Sequence, residues 1–63
     1  MLRFIELTHI NGSKLYLNLS SIEAVEPDGS GSCIYTTTGN HCIVLESYKR
    51  VKELIRWSSH RVE

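Results

Sequence analysis

Asn11-Gly12 sits between two runs of alternating apolar and polar residues, "RFIELT" (3–8) and "KLYLNL" (14–19). Alternation with period two marks strands, and Asn-Gly between two such runs is a strong local signal for a hairpin. Two loops fit the dipeptide. A two-residue loop sets Leu7 against Tyr16 and Glu6 against Leu17, mixing apolar with polar. A three-residue loop, Ile10-Asn11-Gly12, sets Leu7 against Leu15 and Ile5 against Leu17. A slip of one residue carries every side chain to the other face, so the apolar grouping selects the three-residue loop. Gly12 then takes the left-handed position of a type I turn plus bulge, where lacking Cβ costs nothing.

The rest of the chain extends this pattern. A short turn at Ser20-Ser21 leads to a third strand, Ile22 to Glu26, which Pro27 is expected to end because proline donates nothing to a ladder. "DGSGS" (28–32) reads as a flexible connector. Thr38-Gly39-Asn40 then splits "CIYTTTGNHCIVLE" into a second hairpin whose register stays open. Ser47 is a favoured N-cap, and Tyr48, Val51, Leu54 and Ile55 recur at helical spacing after it. The helix should run to about Trp57, with Ser58 and Ser59 loosening its end. The expected fold is α+β: a small curved antiparallel sheet of about five strands with one C-terminal helix, in a single domain over residues 1–63.

A chain of 63 residues has a marginal core, since one this short buries only about 60% of the surface its unfolded form exposes. Disulfides, metal or association usually compensate. Cys33 and Cys42 fall on opposite faces or about four residues apart in any register, too far to bridge. The opening "MLRFIELTH" carries acid and polar residues where a secretion signal would be apolar, and no apolar run approaches a membrane span. A cytoplasmic, reducing setting with both thiols free is expected. Association remains, so a homo-oligomer is expected. Phe4, Tyr16 and Tyr35 lie opposite the Ile/Leu face and are the candidate oligomer interface.

His9, His41 and His60 are scattered, and no cluster has the close spacing of a structural zinc site, so no metal or other cofactor is expected. His41 and Cys42 are neighbours on a strand and point to opposite faces, which excludes a shared metal or a Cys-His nucleophile pair. "DGSGSC" lacks the lysine of a phosphate loop and opens a strand. The residues therefore suggest no enzyme.

Charge is divided along the chain. Residues 1–46 carry Arg3 and Lys14 against Glu6, Glu23, Glu26, Asp28 and Glu46, a net −3. Residues 47–63 carry Lys49, Arg50, Lys52, Arg56 and Arg61 against Glu53 and Glu63, a net +3. Lys49, Lys52 and Arg56 lie within about 60° of one another around a helix. With Trp57, which suits either a core cap or an interface anchor, they are the candidate partner-binding residues.

The order of the elements carries a resemblance. "IELTHINGSKLYLNLSSIEAVE" followed by "IYTTTGNHCIVLESYKRVKELI" resembles the FlbD (SwrD-like) family of small flagellar-accessory proteins. The matching positions are Asn11-Gly12, Asn18, Ile22, Val25-Glu26, Gly39 and Val44-Leu45-Glu46-Ser47, over roughly residues 4–55. "DGSGS" is more glycine-rich than that pattern, Thr38-Gly39 stands where Asn-Gly is usual, and "RWSSHRVE" extends past it. The resemblance implies a cytoplasmic, non-enzymatic accessory acting on a larger protein partner, and it supplies no catalytic residues. Two other readings fit the same residues. One is a phage or mobile-element modulator that blocks a host protein or captures a small charged ligand such as a nucleotide. The other is a nucleic-acid binder using the basic helix, against which the neutral net charge argues.

Overall fold

The computed structural model describes residues 3–59. The first hairpin has the expected register. β1 (Phe4–Thr8) pairs antiparallel with β2 (Lys14–Asn18), Leu7 facing Leu15 and Ile5 facing Leu17. The Gly12 amide donates to the His9 carbonyl (2.8 Å) and the His9 amide to the Ser13 carbonyl (2.8 Å), with Gly12 at φ 94°. Asn11 Oδ1 accepts from the amide and hydroxyl of Ser13, which stiffens the turn. Asn18 closes β2 in the same way. Its Oδ1 accepts the Ser20 amide at 3.0 Å and caps a single 3₁₀ turn, Leu19–Ser21.

Two expectations about the middle of the chain are corrected. Strand β3 (Ile22–Asp28) does not stop before Pro27, which stays in the ladder opposite Ser32. β3 is an edge strand, so the amide missing from proline costs the sheet no inner hydrogen bond. "DGSGS" is not a loose connector. Asp28 pairs with Gly31 around a two-residue turn, and Gly31 and Ser32 already belong to β4 (Gly31–Thr36). A register shift between Ile22 and Ala24 adds a bulge at Glu23. The extra residue lets Ile22 and Val25, three apart, both pack on the core.

β4 pairs with β5 (His41–Val44), Ile34 opposite Cys42 and Cys33 opposite Ile43, which fixes the second hairpin. Its turn repeats the first: Gly39 (φ 89°) donates to the Thr36 carbonyl, and the Thr36 amide donates to the Asn40 carbonyl.

The five strands form a two-stranded sheet, β1-β2, and a three-stranded sheet, β3-β4-β5. They meet at one bridge, His9 to Val44, where the Ile10 amide donates to the Ile43 carbonyl and the Leu45 amide to the Thr8 carbonyl. Glu46 clamps the seam. Its two carboxylate oxygens accept the Thr8 amide and the Thr8 hydroxyl, each at 2.9 Å.

Helix α1 (Tyr48–Ser59) begins as expected, the Ser47 hydroxyl accepting the Arg50 amide. It runs beyond Trp57 because its end is tied down. Ser58 is buried, and its carbonyl accepts Arg3 Nη1 at 2.6 Å, which satisfies one of the last orphan carbonyls. The helix lays Val51 onto Ile5, Leu7, Ile34 and Val44, with Leu15, Leu17, Leu54 and Ile55 packed around them. Leu7, Ile34, Val44 and Val51 are fully buried, each contributing roughly 1.5–3 kcal/mol by leaving water.

Candidate binding surfaces

The buried side of α1 fixes what it shows to solvent. With Val51 inward, Lys49, Lys52 and Arg56 are all exposed and share the stripe expected of them. Trp57 is 65% exposed and is therefore no core cap. It does not join that stripe, since five residues separate it from Lys52, about 140° around the helix. Trp57 instead lines an open groove of about 500 Å³ with Arg50, Glu53 and Leu54. Arg50 Nη1 lies 3.6 Å from Glu53 Oε1, an exposed pair one turn apart. On the opposite flank Lys52 Nζ sits 4.6 Å above the Tyr48 ring. The helix thus offers a cationic stripe and, beside it, an aromatic groove. Arg50, Glu53 and Leu54 are functional candidates that the sequence reading passed over. Their spacing to Trp57, at i, i+3, i+4 and i+7, was the available signal.

The outer face of β1-β2 is the second surface. Phe4 and Tyr16, diagonal neighbours across the pair, stack with ring centroids 4.8 Å apart and planes 9° apart. Tyr16 remains 68% exposed. Lys14 Nζ and Glu6 Oε2, 4.0 Å apart, lie beside them. Tyr35, grouped with these rings in the sequence reading, lies in the other sheet. Its ring tilts against His41 at 5.9 Å, and its hydroxyl donates to Glu26 Oε1 at 3.2 Å. The Cys33 thiol and then the Glu26 carboxylate push its phenol up to about 12. Ile10 and Leu45 are also exposed, one on each side of the bridge that joins the sheets.

The two thiols stay apart, on opposite faces of the three-stranded sheet. Cys33 and Cys42 are free thiols, Cys42 packed on the core and Cys33 buried beside Ile43 on the other face. Burial, and secondarily Cys33, push the Cys42 thiol up, away from the reactive thiolate. Among the described residues no group of three His, Cys, Asp or Glu side chains converges to hold a metal ion. His60 lies outside the described residues, as do Arg61 and Glu63. No helix among the described residues is long and apolar enough to cross a membrane.

The Asn11-Gly12 hairpin, the Asn18 cap, the Gly39 hairpin and the Glu46-Ser47 entry into α1 thus follow one another in a single fold. The family profile that matches this order, described as flagellar and swarming motility proteins, covers residues 4–62. The chain belongs to the FlbD family. The match runs past residue 55, so "RWSSHRVE" up to residue 62 is part of the FlbD pattern and not an extension beyond it. No curated protein and no solved structure matches the chain. FlbD membership makes this a small protein related to flagellar and swarming motility.

Proposed function

We propose that the chain is a non-enzymatic accessory of flagellar or swarming motility that works by binding a larger protein through the outward side of α1. The observation that carries this reading is the exposed Trp57 beside the Arg50–Leu54 groove, next to the cations Lys49, Lys52 and Arg56. Tryptophan and arginine dominate the energetics of protein interfaces. We assign the protein to the cytoplasm, where two free thiols persist. Self-association through Phe4 and Tyr16 belongs to the same reading and frees the helix for the partner. The nucleic-acid reading draws less support, because Lys52 already faces the Tyr48 ring on which a base would stack.

The test is a triple substitution, Lys49→Gln, Lys52→Gln and Arg56→Gln. Exposed charges contribute little to folding, so stability should stay within about 0.5 kcal/mol. Capture of the partner and swarm expansion of a strain carrying the variant should both fall. Normal capture by the folded variant would take the cationic stripe out of the contact and leave the groove at Trp57 or the sheet face around Phe4 and Tyr16 as the functional surface.

A further inference from the structure

We infer that the groove formed by Arg50, Glu53, Leu54 and Trp57 receives an acidic segment of a larger protein, with an apolar side chain seated between Leu54 and Trp57. This rests on the reading of α1 as the partner surface and adds the chemistry of what binds there.

Charge is the first argument. The 12 residues of α1 carry Lys49, Arg50, Lys52 and Arg56 against Glu53, a net +3. Like charges brought together cost energy, so this surface disfavours basic segments and also the α1 of a second copy. Carboxylates are attracted. The Arg50–Glu53 pair is exposed, and such pairs contribute little, so Arg50 can turn to an incoming carboxylate and bind it through two parallel hydrogen bonds.

Shape is the second argument. A groove of about 500 Å³ beside a largely exposed indole can seat an apolar side chain, and Leu54 supplies its inner wall. Its seating would shield the charge pairs at the rim from water. A lipid surface fits less well. The continuous apolar side of α1 that would enter a bilayer is spent on the core, with Val51 fully buried and Leu54 and Ile55 packed against it.

The experiment places the photo-reactive residue p-benzoylphenylalanine at Glu53 in one strain and at Tyr16 in another, each in the organism that carries the gene. Mass spectrometry then reads the cross-linked segment. From Glu53 the expected product is a net-acidic segment of a larger protein, attached at or beside an apolar residue. A second variant with Arg50→Glu, checked for native circular dichroism, should lose that product. A neutral or basic segment, a lipid, or a second copy of this chain at Glu53 would overturn the inference and leave the α1 reading standing or altered only in its partner. A larger protein trapped from Tyr16 and not from Glu53 would overturn the α1 reading itself. Trp57 is the chain's one tryptophan, so its fluorescence reports directly on the groove. A synthetic peptide of the trapped segment should shift its emission to the blue, and raising the salt should weaken that binding roughly tenfold. Salt-independent binding would argue against the acidic partner.

Discussion

At the scale of single residues, two glycines are required for different reasons. Gly12 sits at φ 94° with open space around it, so a side chain there meets strain but no clash. Gly12→Val should destabilise by on the order of 1–2 kcal/mol. Gly31 has no such backbone constraint, but a methyl group on it would lie 2.2 Å from the Val44 carbonyl oxygen. Gly31→Ala should cost about 1–3 kcal/mol through overpacking, and thermal melts of both variants check the pair. An unchanged melting temperature for either would contradict the geometry at that site. The first glycine was legible because Asn-Gly is a local signal. The second was hidden because its constraint comes from a strand 13 residues on. Glu46 was hidden for the same reason, since Thr8 is 38 residues away. Burial pushes the Glu46 carboxyl up, but the Thr8 amide and hydroxyl outweigh that and, with Lys14, hold it below its ordinary 4.5. A carboxyl held low when folded stabilises fully above its ordinary value and loses that contribution as pH falls through its folded value. Glu46→Gln should therefore melt several degrees lower at neutral pH, about 1 kcal/mol for the weakened clamp. The gap between variant and parent should close as the pH is taken below 4.5. A gap that persists in acid would show that the charge of Glu46 is not what holds the seam.

At the scale of elements, periodicity gave the first hairpin its register and the helix its buried side, because both depend on side chains within one element. It failed where neighbours decide. Pro27 was expected to end β3, yet an edge position removes the reason to stop. The bulge at Glu23 could not be read, since Ile22 and Val25 share a face only once β4 is in place. The end of α1 was set too early because Arg3, 55 residues away, supplies the donor that holds it. Arg3→Ala should therefore loosen the last turn of α1 at a cost of about 1 kcal/mol. Amide exchange should quicken in that turn and stay unchanged in β4 and β5. Equal quickening throughout would mean that Arg3 supports the whole fold and not the helix end.

At the scale of the whole molecule, the question is which surface meets a second copy. The sequence reading found the apolar residues Phe4 and Tyr16 but grouped Tyr35 with them, since strand alternation says nothing of which sheet a strand joins. The charges separate the surfaces. The outer face of β1-β2 carries one acid, Glu6, and one base, Lys14, paired beside the stacked rings. A twofold contact brings each patch against itself, so a face with one charge of each sign can be complementary to its own copy. The helix, at net +3, repels its own copy. A dimer through Phe4 and Tyr16 should therefore appear in light scattering as particles heavier than the 7.2 kDa chain at micromolar concentration. Because association of this kind stabilises the folded state, its melting temperature should rise with concentration. Tyr16→Lys removes one ring of the stack and places a second cation beside Lys14, while every core side chain stays in position. The variant should scatter as a monomer and melt at a temperature independent of concentration. A parent chain that scatters as a monomer at high concentration would refute self-association. An unchanged oligomer in Tyr16→Lys would move the interface to another face of the molecule.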